Sequence, residues 1–175
     1  MSASSKPATP AFGFFTVVEQ PDFGLVGGYL VLNAGGRPLE FHCTAPVKAN
    51  RAQEILYGPT LKPYLYGEQI GQALISRAKS PVLLVLTDEV AALCVREFTP
   101  VPALLVTSDC DRASHGGLHS FPLGAHSVAL ENRFSSDQPS VLDVWKTQHP
   151  TLDLVEPFSR IREALAEAQK SARAA

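Results

Sequence analysis

The chain lacks most of the features that announce a reaction. Its three cysteines, Cys43, Cys94 and Cys110, form an odd set without a CxxC pair. That argues against a disulfide framework and suits a reducing compartment. Charge is sparse, at 18% of residues, and the 15 Lys and Arg are scattered along a chain of net charge -2. Such a chain has no electrostatic footprint for a polyanion, so nucleic acid is a disfavoured partner. No run approaches the roughly 18 apolar residues of a membrane span. The leading MSASSKPATPAFG has no apolar signal-peptide core. A cytoplasmic location without a membrane partner is therefore expected. GxGxxG, Walker and GxSxG motifs are all missing, so neither a phosphate cradle nor a nucleophile elbow is signalled.

What is present is apolar surface. Hydrophobic residues make up 45% of 175 positions, enough for one domain with a single core. Residues 1–10, rich in Ser, Ala, Pro and Thr, bury too little to order themselves and are expected to form a flexible tail. Residues 11–175 form the expected domain.

Phe12 to Glu19 and Leu25 to Asn33 read as strands, separated by a turn at Gln20-Pro21-Asp22. Ala34-Gly35-Gly36-Arg37 is a hairpin signal, because Gly tolerates the positive φ of tight turns. Pro38 to Ala45 is a third strand, with Leu39, Phe41 and Cys43 on one face and Glu40, His42 and Thr44 on the other. Gly27-Gly28 inside the second strand marks a bulge or a close backbone approach.

Asn50 can cap a helix from Arg51 to Tyr57, with Gln53 completing a capping box. A second helix, from Pro63 or Tyr66 to Lys79, carries an apolar stripe of Ile70, Ala73 and Leu74. Pro81 to Thr87 is apolar on both faces, which marks a central strand covered on both sides. A short helix over Glu89 to Glu97 leads to a second buried strand, Val101 to Thr107, as in a parallel crossover. Ser108 to Ser120 is polar, Gly-rich and irregular in pattern. A short extra strand near His126 to Asn132 and helices over Pro139 to Gln148 and Pro157 to Ala172 complete the chain.

Three meandering strands, a helix, then strand, helix, strand and helices is the order of the RNase H-like fold. The expected fold is therefore α/β, with a mixed five-stranded sheet in the order three-two-one-four-five, flanked by helices. A GAF- or profilin-like sheet is the competitor, and it would make the strand from Pro81 antiparallel to its neighbour.

Pro63-Tyr64-Leu65-Tyr66-Gly67 resembles the Pro-Tyr-x-Pro-Gly motif of endonuclease V, and an apolar strand ending at Asp88 follows at a similar distance. The resemblance spans about half the chain. It implies Mg²⁺ held by carboxylates, with Glu19, Asp88 and Asp109 as the catalytic and metal-binding set, since hard cations require several oxygen ligands. The family's helix glutamate aligns with Ala73 and its first-strand aspartate falls near Glu19. For the strand-end pair the plain alternative is structural: Asp88 capping the helix from Glu89, and Asp109 shaping a turn.

Two further groups remain. Cys110, His115 and His119 share one loop and are ligand types acceptable to zinc, or a thiol with a base. Tyr57, Tyr64 and Tyr66 flank Gly-Pro and Lys-Pro breaks, and clustered tyrosines on a stiff loop anchor partners at low entropic cost. The leading expectation is a cofactor-free binding module for a protein partner, a second copy or a ligand. Its surface would be Tyr57, Tyr64, Tyr66, His115 and His119. The alternative is a Mg²⁺-dependent phosphodiesterase using Glu19, Asp88 and Asp109.

Overall fold

The computed structural model describes residues 9–107 and 116–175. The expected tail thus lies largely outside the described residues. β1 (Ala11–Gln20), β2 (Gly24–Asn33) and β3 (Pro38–Cys43) form an antiparallel meander. Gly36, at φ 84°, closes the second turn of it. β4 (Leu84–Thr87) lies parallel to β1, pairing Phe12 with Leu84 and Phe15 with Thr87, and β5 (Ala103–Thr107) lies parallel to β4. The parallel pairing of β4 with β1 is the one expected of the apolar Pro81–Thr87 run, and it rules against the antiparallel competitor.

The sheet does not stop at five strands. A hairpin of β6 (Leu118–Leu123) and β7 (His126–Glu131) adds to β5 through an antiparallel pairing of β7. The result is a mixed seven-stranded sheet in the order β3-β2-β1-β4-β5-β7-β6. The expected count of five is corrected on physical grounds. β6 is an edge strand, where Pro122 is tolerated and only Phe121 and Leu123 are buried. Its first half reads as polar loop for that reason.

Helices cover both faces. α1 (Arg51–Tyr57) keeps the expected capping box, with Gln53 N–H donating to Asn50 Oδ1 and Asn50 N–H donating to Gln53 Oε1. A 3₁₀ turn (Gly58–Thr60) and α2 (Leu61–Pro63) lead into a π-helix (Tyr64–Gln72) and then α3 (Ala73–Arg77). A 3₁₀ helix, Val90–Phe98, joins β4 to β5. α4 (Gln138–Gln148) follows another 3₁₀ stretch, Asn132–Asp137, and α5 (Glu156–Ala174) ends the chain. Among the described residues no helix is long and apolar enough to cross a membrane.

On one face, Phe12, Phe14, Leu84 and Leu104 pack against Val141 of α4 and Phe158, Ile161 and Leu165 of α5. On the other, Phe15, Val17, Tyr29 and Val85 pack against Leu65, Ile70 and Leu74 and against Val95 of the 3₁₀ helix. Gly27 and Gly28 make both contacts possible. A Cβ on Gly27 would strike Ile70, and one on Gly28 would strike Ile161. The Gly pair therefore marks close approach on both faces at once, not a bulge.

β3 keeps the expected alternation, and the polar face is the one turned inward. Leu39, Phe41 and Cys43 are the exposed set, and Glu40 and His42 are half-buried. The cause is the carboxylate of Glu40, which accepts from the His42 ring Nε2 at 2.8 Å, from Lys79 N–H at 3.0 Å and from Ser80 N–H. His42, then Ser80 and Lys79, hold Glu40 down at about 2, against an ordinary value of 4.5. A folded value below the unfolded one contributes stability above pH 4.5 that is lost as pH falls toward about 2. We expect that loss to be about 1–2 kcal/mol once screening by solvent is allowed for. Urea titrations of the parent and Glu40→Gln from pH 6 to pH 2 measure it. Parallel stability curves for the two proteins would refute the assignment.

Candidate functional site

Asp88 stands one residue beyond β4, where parallel strands of open α/β sheets present their site residues. Its carboxylate is fully engaged. Thr16, buried in β1, donates its hydroxyl to Asp88 Oδ1 at 2.6 Å, and the guanidinium of Arg162 on α5 binds Oδ2. Asp88 does not cap the following helix, whose N-cap Glu89 makes no side-chain cap bond. Glu89 N–H is instead held by Thr87 Oγ1 at 3.2 Å.

Glu19 occupies a different place. It lines a cavity of about 570 Å³ with Lys48, Glu54, Lys62, Leu65 and Tyr66. Burial raises the Tyr66 phenol, and the neighbouring Glu89 and Glu19 raise it further. Glu89 is itself raised, first by burial and then by Asp88. Asp88 thus faces α5, and Glu19 and Glu89 face Tyr66. The divergence follows strand alternation, which sends Thr16 toward α5 and places Glu19 with Phe15 and Val17 on the other side.

A Mg²⁺ site needs several convergent oxygens. Here the first-strand side chain beside Asp88 is a threonine, the aligned helix position is Ala73, and a guanidinium already neutralises the carboxylate. The described residues do not fit such a site. Among them no group of three or more His, Cys, Asp or Glu comes together as a metal set. Asp109, Cys110, Asp111 and His115 lie outside the described residues. His119 is on edge strand β6, its Nε2 bonded to Gln138 Oε1 at 2.5 Å.

The tyrosines divide into two kinds. Tyr57 and Tyr64 stack, with centroids 4.1 Å apart and planes 19° from parallel. Hydrogen bonding to Tyr64 pushes the Tyr57 phenol up. With Pro63, Glu68, Cys94 and Phe98 they line a shallow groove. Tyr66, by contrast, is a core residue with Lys62 Nζ lying 5.1 Å from its ring centroid. The π-helix turns it fully inward, while Tyr64 stays half-buried at the margin of the same core.

The larger feature is α1, which has no buried residue. Ile55 is 64% exposed and Leu56 82%. An amphipathic helix ordinarily folds such side chains inward. Sequence periodicity over seven residues is too short to reveal which way they point. Thr16 carried a signal, being the one hydroxyl in the otherwise apolar run FGFFTVV. Arg162 carried none, since it sits among ordinary polar positions of α5. Compared with known proteins, the chain matches no family model and no curated protein.

Proposed function

We propose that this chain is a protein-binding module on an RNase H-like frame, with α1 and the Tyr57–Tyr64 pair as its binding surface. The observation that carries the reading is α1 itself, a capped helix that has no fully buried residue and exposes Ile55 and Leu56 side by side. Apolar and aromatic side chains at the centre of an interface, fully desolvated by the partner, carry most of its affinity. The capping box holds the helix in shape without a partner, so little ordering cost remains for association. The strand order β3-β2-β1-β4-β5, with β1, β4 and β5 parallel, supports the RNase H-like part of the reading.

Leu56→Glu is expected to weaken association at least tenfold, roughly 1.4 kcal/mol or more. Its Tm should stay within about 1 °C of the parent, because nothing in the core touches a side chain this exposed. Sedimentation velocity over a concentration series measures self-association. Quantitative co-purification with parent and variant measures a different partner. If both proteins behave alike in both assays, α1 is not the binding surface.

The phosphodiesterase alternative would need Asp88 free to take a cation. With Arg162 on that carboxylate, Mg²⁺ or Mn²⁺ is expected to leave Tm unchanged, since only an ion bound to the folded state raises it. A rise with either ion that Asp88→Asn abolishes would restore the alternative.

A further inference from the structure

On the face opposite Tyr66, the open end of the β2–β3 ribbon meets the last turns of α5. Between them lies a cavity of about 290 Å³, near the lower end of the range for small-molecule sites. Val26, Pro46, Leu165 and Ala168 supply apolar walls. Two polar features interrupt them. Gln169, which lines the cavity, has a side-chain Nε2 removed from water and without a hydrogen-bond partner. Arg173, one turn further along α5, also lines it and rests its guanidinium 4.9 Å from the Phe23 ring centroid. Among the described residues Arg173 pairs with no carboxylate. The Thr44 hydroxyl oxygen accepts from Gly27 N–H at 3.0 Å, a bond that leaves its O–H to donate.

Buried amide donors are almost always satisfied, and that of Gln169, closed off in the cavity wall without a partner, reaches an acceptor held in the cavity by a turn of its side chain. A cation beside it, unpaired within the described residues, sets the sign of that acceptor. We propose that this cavity binds a small apolar carboxylate, a medium-chain acyl acid or its aryl equivalent. The hydrocarbon fills the space between Val26, Leu165 and Ala168, and the carboxylate accepts from the Gln169 amide and the Arg173 guanidinium. The site is separate from α1 and stands whether or not α1 binds a protein.

Cys43, an exposed free thiol lining the same cavity, is a built-in reporter. In a full-length Cys94→Ser, Cys110→Ser background it is the only thiol left to react with a maleimide. Decanoate is the probe, with decanol as the control lacking the charge. Decanoate is expected to slow Cys43 labelling severalfold, and decanol much less. Calorimetry on the unmodified chain should show saturable decanoate binding. Gln169→Leu and Arg173→Ala should each weaken that binding about tenfold, the usual scale for a hydrogen bond to a charged group. Ala168→Trp, with its Tm checked, should abolish it by filling the cavity. Absence of both protection and calorimetric binding would overturn the proposal. So would equal protection by decanol, or decanoate binding that Ala168→Trp leaves intact in a folded protein.

Discussion

Leu84→Ala should cost the domain about 2–5 kcal/mol, the usual range for truncating a buried leucine. Leu84 is fully buried in β4, paired with Phe12 of β1 and packed in the cluster that includes Leu104 and Phe158. The walls of the resulting cavity would belong to three strands and α5, all fixed by hydrogen-bonded ladders or helix packing. Such a site collapses poorly, which places the cost toward the upper half of the range. Leu142→Ala on α4 is the matched control, because Leu142 is 41% exposed and its truncation should cost no more than about 1 kcal/mol. Denaturant titration of both variants beside the parent reads the two values. A loss under about 1 kcal/mol for Leu84→Ala would mean that β4 is not the covered central strand described here.

The same central strand shows what was legible in the sequence and what was not. Pro81–Thr87 is apolar on both faces, and that pattern calls for cover above and below, as the strands of parallel sheets have. The capping box at Asn50 was equally plain, because all its partners lie within three residues. Local chemistry is readable when its partners are local. Asp88 fails that condition, since Thr16 is 72 residues away and Arg162 is 74. A carboxylate after a strand reads the same whether it holds a cation or a guanidinium. The facing of β3 was hidden for a similar reason: the alternation was visible, but the pull of Lys79 and Ser80 on Glu40 was not. The β6–β7 hairpin was only half visible, because an edge strand buries one residue in two and breaks the apolar pattern.

Gly67→Ala should destabilise by about 1–3 kcal/mol, the range for forcing extra volume into a packed interior. The expectation runs against helix propensity, which favours Ala over Gly by roughly 0.5–1 kcal/mol inside a helix. Sterics decide the sign. A Cβ on Gly67 would collide with Cys94 Sγ and press on the backbone N of Val95, and a Cβ on Gly71 would meet the Val95 side chain and Phe15. The two glycines lie one turn apart in the π-helix Tyr64–Gln72 and let it ride directly on the 3₁₀ helix Val90–Phe98. Cys94 cannot swing away freely, since its one S–H is shared between Pro63 O at 3.0 Å and Ala91 O at 3.3 Å. Burial pushes that thiol up to about 11, so it is neutral through the ordinary pH range and charge plays no part in the clash. Removing the sulfur should therefore relieve most of the penalty. Gly67→Ala in a Cys94→Ala background is expected to cost about 1–2 kcal/mol less than in the parent, a coupling typical of residues in direct contact. The relief stays partial because the Val95 backbone remains in the way. Four denaturant titrations complete the cycle. If Gly67→Ala instead raises the midpoint in the parent, helix propensity has won, and the two helices cannot approach as closely as described.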